Sequence, residues 1–69
     1  MASVYEKVGK NIERMRKSKA MSQQDLAVKA RIDLTTVSEL ESGLRNPSLK
    51  TLNTIASALD ISLKKLFDF

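Results

Sequence analysis

Cysteine and histidine are both absent from the 69 residues of this chain. Without cysteine it can form no disulfide and no thiolate nucleophile, and without either residue it lacks the usual zinc ligands. No apolar run approaches the roughly 20 residues that a membrane-spanning helix needs, and the N-terminus has no signal-peptide hydrophobic region. These absences predict a soluble cytoplasmic protein that binds no metal and does not associate with a membrane.

The small size of the chain also bounds its function. A protein of 69 residues is one domain, near the lower limit for unaided folding. Little room is left for a catalytic cavity beside the core, and the sequence shows no nucleophile–base pair and no phosphate-cradling glycine loop. We therefore predict that residues 1–69 form a single domain that is not an enzyme and needs no cofactor or small-molecule ligand.

Positive charge is concentrated in the N-terminal half. Met1 to Arg31 contains eight lysines and arginines against three acidic residues, whereas Ile32 to Phe69 contains four against five. A basic half suggests an anionic partner, most commonly nucleic acid. An ordinary solvated helix face would explain the same charges equally well, so charge alone does not decide the function.

Apolar spacing and capping residues predict five helices and no strand. The first should run from about Val4 to Lys19, the third from Leu34 to about Glu41, and the others start after serine caps. The caps are Ser22 with Asp25, Asp33, Ser48 and Ser62. The residues expected to face inward are Val4, Val8, Ile12 and Met15 of the first helix, Leu26, Ala27 and Ala30 of the second, Val37 and Leu40 of the third, and Leu49, Leu52, Ile55, Ala56 and Leu59 of the fourth. The final short helix contains Leu63, Leu66 and Phe67.

Two helix ends are expected to use the left-handed conformation. Gly43 follows the third helix and has no Cβ to oppose a positive φ. Asp60 tolerates the same conformation at the end of the fourth helix.

The stretch from Ser22 to Glu41 is the part around which the rest is organised. It is predicted to be two short helices joined by a tight turn, with an apolar inner face. The outer face of its second helix carries short polar residues, with Leu34 at the edge: Thr35, Ser38, Glu39 and Ser42. A helix this short needs tertiary support, which the remaining helices would provide.

Arg16 and Glu41 both border apolar stripes. Arg16 follows Ile12 by four residues, and Glu41 follows Val37 by four. Each charge is expected to be partly buried and to need a partner, so we predict that the two form a salt bridge. The alternative is two unrelated surface charges.

Six segments in register resemble a known family. They are Gly9 to Arg16, Met21-Ser22-Gln23 with Asp25-Leu26-Ala27, Val37 to Glu41, Arg45 to Leu49, Ile55 to Leu59, and Leu63 to Phe67. Together they resemble the phage-repressor type of helix-turn-helix domain, the Cro/lambda-repressor-like or Xre family, over roughly Val8 to Phe67. The resemblance implies an all-α, compact five-helix lambda-repressor-like domain that binds double-stranded DNA.

The resemblance also implies which residues contact DNA. The second helix would cross the DNA backbone and the third, residues 34–41, would lie in the major groove. Base contacts fall on Leu34, Thr35, Ser38 and Glu39, and backbone contacts fall on Gln23, Ser42, Arg45 and Asn46. Glu39 could accept from cytosine N4, or it could only steer a neighbouring arginine. Gln23 and Arg45 could instead be solvated surface residues.

Three positions depart from the family pattern. Arg31 and Asp60 stand where glycine is usual, and Leu44 stands where a lysine is common. If Arg31 needs a positive φ, it carries strain of order 1 kcal/mol. The loss of a lysine at position 44 removes one expected phosphate contact.

The implied function is a sequence-specific transcriptional regulator. One such domain contacts few base pairs, which favours a homodimer on a two-fold operator with half-sites roughly 34 Å apart. The predicted interface is the apolar C-terminal set, Leu63, Leu66, Phe67 and Phe69, part of which could instead complete the core. Since no sensor domain is expected, regulation would depend on protein concentration. Regulation by protein concentration resembles that of restriction–modification controller proteins and small phage repressors. The alternatives are an antitoxin-type regulator and a protein-interaction module that has lost DNA binding.

Overall fold

Four α-helices and one short 3-10 helix form the protein in the computed structural model, which describes residues 2–69. The elements are α1 (Val4–Ser18), α2 (Gln23–Ala30), α3 (Leu34–Ser42), α4 (Leu49–Ala58) and the C-terminal 3-10 helix (Leu63–Phe67). No strand occurs in this part of the chain, as the sequence predicts. No helix within residues 2–69 is long and apolar enough to span a membrane.

The prediction of a fifth α-helix is wrong, because the fifth element is a 3-10 helix. The last element has five residues, and its N-cap, Ser62, makes no side-chain capping hydrogen bond. The tighter 3-10 geometry is common in such short pieces because it closes a hydrogen bond over three residues rather than four.

Serine caps determine where three of the helices begin. Ser22 and Asp25 form the predicted reciprocal capping box at the start of α2, and the Ser48 hydroxyl accepts from the Thr51 N–H. A second capping box, Ser3 with Glu6, starts α1 and was not predicted. Each box pairs backbone N–H groups that would otherwise have no partner at a helix N-terminus.

Asp33 occupies the predicted N-cap position of α3 but does not bond to the helix backbone. Its carboxylate instead accepts a hydrogen bond from the Thr36 hydroxyl. This bond holds the pKa of Asp33 below its ordinary value, and the positive charge of Arg45 makes a smaller contribution.

Left-handed backbone ends several of these helices. Gly43 (φ 76°) and Asp60 (φ 58°) adopt it as predicted, and Arg31 adopts it at φ 59°. Ala20 (φ 56°) was not predicted, because alanine has no side-chain feature that favours this conformation. The non-glycine residues each carry strain of about 1–2 kcal/mol, which the packing of the connected helices must offset.

Two predicted core residues are exposed. Val4 and Leu49 are 51% and 67% exposed, although the other predicted aliphatic residues of α1 and α4 are buried or partly buried. Both residues stand at the first position of their helix. Helical spacing places them on the correct side of the cylinder, but the core does not extend as far as the helix ends.

Gly9 allows α1 to approach the C-terminal end of α3. A Cβ at this position would lie 2.3 Å from the Leu40 carbonyl oxygen and 2.8 Å from that of Glu41. Such distances exclude any side chain unless the backbone shifts. The contact brings α1 against the helix that carries the polar outer face.

Asn11 ties the C-terminal end of the chain to α1. It is 2% exposed, and its amide nitrogen donates to the carbonyl oxygens of Leu66 (3.1 Å) and Asp68 (3.2 Å). The spacing did offer a signal, because Asn11 lies three residues after Val8 and four before Met15, on the apolar side of α1. A buried amide needs such partners to offset its lost hydration.

Candidate nucleic-acid interface

The helices α2 and α3 pack through their inner faces and are joined by a three-residue turn. Leu26, Ala27 and Val37 are almost fully buried between the helices and the rest of the core. In the turn, the N–H of Ile32 donates to the Ala27 carbonyl at 3.0 Å. The angle between α2 and α3 is therefore set by packing and by backbone hydrogen bonds together.

A buried ion pair joins α1 to the end of α3. Arg16 Nε and Nη2 donate to the two carboxylate oxygens of Glu41 at 2.6 and 3.0 Å, and each residue is 7% exposed. Arg16 Nη1 also donates to the Met21 carbonyl at 2.7 Å. Hydrogen bonding to Glu41 raises the pKa of Arg16 above its ordinary value, against the effect of burial. The arrangement is bidentate, which restricts the relative position of the two helices.

Gln23 belongs to the same cluster. Its side-chain amide donates to Glu41 Oε1 at 3.0 Å, and the residue is the first of α2. The first turn of a helix presents free backbone N–H groups and the positive end of the helix dipole. The Glu41 carboxylate thus holds Gln23 at a helix end that favours an anion such as a phosphate.

The outer face of α3 is open to solvent. Leu34 is 44% exposed, Thr35 and Ser38 are exposed, and Glu39 is half-buried. Thr35, Ser38 and Glu39 fall on the side opposite the buried Val37 and Leu40, with Leu34 at its edge, so the four predicted base-reading positions lie on one surface. A strip of short polar side chains on an exposed helix can enter a groove without steric conflict.

Ser42 is the last residue of α3 rather than the first residue after it, so the predicted end at Glu41 is one residue short. Its hydroxyl donates to the Ser38 carbonyl at 2.9 Å. The hydroxyl oxygen keeps its capacity to accept a hydrogen bond.

Glu39 and Arg45 form an ion pair on this exposed surface. Arg45 Nε and Nη2 donate to the same oxygen, Glu39 Oε1, at 3.0 and 2.6 Å. Since Arg45 lies beyond the end of α3, its side chain must turn back along the helix to reach position 39. Its charge also contributes to the lowered pKa of Asp33, at the other end of α3. Asn46, the remaining predicted backbone contact, is exposed next to Arg45.

Basic residues of α1 line a groove that continues from this surface. Lys7, Lys10 and Arg14 share the groove with four acidic residues and with several uncharged ones, including Glu6, Glu13, Glu41, Asp68, Gln23, Ser38, Ser42 and Phe69. Lys10 pairs with Glu13 at 3.4 Å, and this hydrogen bond lowers the pKa of Glu13. The basic N-terminal half therefore adjoins the outer face of α3.

The predicted dimer residues separate into a buried part and an exposed part. Leu66 is fully buried, so the prediction that it contacts a partner is wrong: it completes the core. Leu63 is partly buried against the same core. Phe67 and Phe69 are 40% and 59% exposed, and the ammonium of Lys7 lies 5.5 Å from the Phe69 ring centre.

Gly9 and Asn11 are the residues important for the site that pattern reasoning did not single out. They position α1 against α3 and against the C-terminal end of the chain. No group of three or more acidic side chains suited to a metal ion occurs in residues 2–69.

Comparison with known proteins places this geometry among regulators. A family model described as helix-turn-helix matches residues 12–66. The control protein C.BamHI of Bacillus amyloliquefaciens is 39% identical over 62 residues, covering 88% of this chain and 76% of that protein. The control protein C.MunI of a Mycoplasma species is 35% identical over 68 residues, covering 97% and 92%. The crystal structure of the restriction-modification controller protein C.AhdI from Aeromonas hydrophila superposes with a TM-score of 0.89 at 36% identity, covering 91% of this chain and 96% of that one.

Proposed function

The chain belongs to the helix-turn-helix family and is a DNA-binding regulator, and we propose that it controls transcription by binding a two-fold operator as a homodimer. The observation that carries this proposal is the exposed polar face of α3, held in place by the buried Arg16–Glu41 pair. A rigid helix with an open polar face is what insertion into the major groove requires.

The proposed contacts divide between bases and backbone. Leu34 packs against a thymine methyl group, and Thr35 and Ser38 donate to or accept from base edges. Glu39 belongs to the same base-reading surface. On the backbone, Gln23 contacts a phosphate at the start of α2 together with the helix N–H groups. The remaining proposed DNA contacts follow the recognition surface along the chain: Ser42, Arg45 and Asn46.

The exposed aromatic residues at the C-terminal end support the proposed dimer. Phe67 and Phe69 present more aromatic surface than the core uses, and a dimer would cover it. Leu63, which is only partly buried, would lie at its border.

The relatives support a proposal for the biological role. Two of them are control proteins, and a solved neighbour is a restriction-modification controller of almost the same length. We propose that this protein is likewise an autoregulatory controller, acting in the cytoplasm on DNA, with residues 1–69 as one binding domain rather than an enzyme. A phage-type repressor is the second candidate, because the same fold and contacts serve it equally.

Selection of bound fragments from a random DNA library tests DNA recognition directly. We expect enrichment of a two-fold sequence, and an affinity that falls steeply as salt concentration rises because bound phosphates release counterions. In T35A/S38A the preference for the selected sequence should fall by about 1–3 kcal/mol at each affected base pair. In S57A, which removes an exposed hydroxyl on α4, it should stay unchanged. No enriched sequence together with salt-independent behaviour would contradict the proposal and favour an interaction module.

A further inference from the structure

The Glu39–Arg45 pair combines an open acceptor with open donors on the outer face of α3. The Glu39 and Arg45 side chains are 39% and 46% exposed, so the pair is accessible to a partner. Both guanidinium contacts go to a single oxygen, Glu39 Oε1. Within residues 2–69 the second oxygen, Oε2, accepts no hydrogen bond, and Arg45 Nη1 donates none. The pair therefore retains one carboxylate acceptor beside several N–H donors.

Charge explains why the two side chains would act together on DNA. A lone carboxylate next to a phosphate backbone is repelled, whereas a carboxylate paired with a guanidinium carries no net charge. Pairing also keeps the long Arg45 side chain beside the recognition helix, where it can reach a base edge. Neither residue would have the same position or the same electrostatic cost without the other.

The hydrogen-bonding pattern of the pair selects its target. In the major groove a G·C base pair presents two guanine acceptors, N7 and O6, beside one cytosine donor, N4. A guanidinium can donate to the guanine atoms, and a carboxylate can accept from the cytosine amino group. An A·T pair presents only one acceptor on its purine, next to a donor, and so matches this arrangement less well.

We propose that Glu39 and Arg45 form one composite reading unit that selects a G·C base pair in each half-site. The proposal rests on DNA binding through α3 and assigns Arg45 to a base edge rather than to a phosphate. It also gives Glu39 a base contact that depends on Arg45.

Four proteins test the proposal: the wild type, E39Q, R45M and the double variant E39Q/R45M. Each is assayed against the selected operator and against operators with A·T substituted for G·C at single positions. We expect one G·C position in each half-site whose preference falls about tenfold in E39Q and in R45M. The double variant should lose no more than either single variant, because one unit is removed in all three.

A charge-matched control separates recognition from simple electrostatics. D60N makes the same change in formal charge as E39Q, at an exposed position where asparagine also tolerates the left-handed backbone. We expect D60N to keep the wild-type preference at every position. Thermal unfolding of all variants checks that the exposed substitutions leave the fold intact.

Three results would overturn the proposal while leaving DNA binding itself intact. R45M could weaken all sequences uniformly, which identifies a phosphate contact. E39Q could strengthen all sequences uniformly, which identifies simple repulsion. The two losses of preference could also add in the double variant, which identifies two independent contacts. A wild type that enriches no sequence would instead contradict the proposed function.

Discussion

Glu41 links the stability of the protein to its proposed DNA contact at the scale of single residues. Its carboxylate accepts from Arg16 in the interior and from Gln23 at the start of α2. One buried group therefore both joins α1 to α3 and positions a side chain proposed to face a phosphate. A change at Arg16 should disturb the interface even though Arg16 itself is buried.

R16M is expected to lower the free energy of unfolding by about 3–5 kcal/mol, because it leaves the Glu41 carboxylate buried without its charged partner. Urea or thermal unfolding measures the loss. K17M provides the adjacent control: the Lys17 side chain is 65% exposed and only borders Glu13 at 3.6 Å, so its removal should change stability by less than about 0.5 kcal/mol. Equal stability of R16M and the wild type would contradict the structural role of the pair.

The ends of α2 and α3 show how element boundaries depend on side chains. Ser22 and Asp25 close the first turn of α2, and Gly43 closes α3 in the left-handed conformation. At eight and nine residues, both helices are too short to be stable in isolation. Their capping residues and their packing against the other helices must therefore supply the stability that intrinsic helix propensity does not.

The capping box predicts acid sensitivity in α2. The backbone N–H and the hydroxyl of Ser22 hold the pKa of Asp25 below its ordinary value of 3.8. In the unfolded chain Asp25 takes up its proton first as the pH falls, so the stabilisation is present above pH 3.8 and is lost as pH falls through the lower, folded pKa. D25N removes this titration.

Urea unfolding of the wild type and D25N, measured from about pH 6 down to about pH 2, checks the prediction. The stability of D25N should be lower than that of the wild type near neutral pH, and the difference should shrink in acid. A difference that stays constant over the whole range would show that the Asp25 carboxylate does not contribute through its charge.

At the scale of the whole molecule, the exposed Phe69 adjoins the polar face of α3, because it lines the same groove as Ser38 and Ser42. Phe67 and Phe69 lie at the C-terminal end, which Asn11 attaches to α1. The attachment gives these aromatic residues a defined position relative to the recognition helix. A dimer formed there would set the spacing of two recognition helices on DNA.

Sedimentation equilibrium at micromolar concentration tests the dimer. We expect the wild type to sediment as a dimer and F67S/F69S to sediment as a monomer, because the variant removes the exposed aromatic surface. L44S is the matched control, since Leu44 is 80% exposed but lies in the loop after α3. A wild type that stays monomeric would contradict the dimer, as would an unchanged mass in F67S/F69S.

The sequence by itself determined the all-helical class, most helix boundaries and the left-handed positions at Gly43 and Asp60. These depend on local physics: apolar periodicity, capping side chains and the steric freedom of individual residues. The helix-turn-helix register followed from the resemblance of six short segments to a known family, because their fixed order is typical of that family.

Only the tertiary structure decided which of these residues meet. Leu66 is buried in the core, whereas Leu49 is exposed. Asn11 binds the C-terminal end of the chain, and Arg45 forms an ion pair with Glu39. The first three outcomes depend on contacts between residues far apart in the chain or on where the core ends, and the contact of Arg45 with Glu39, six residues away, depends on the path of the loop after α3. Periodicity assigns a side to each residue of a helix, but the neighbouring helices decide whether that side is covered.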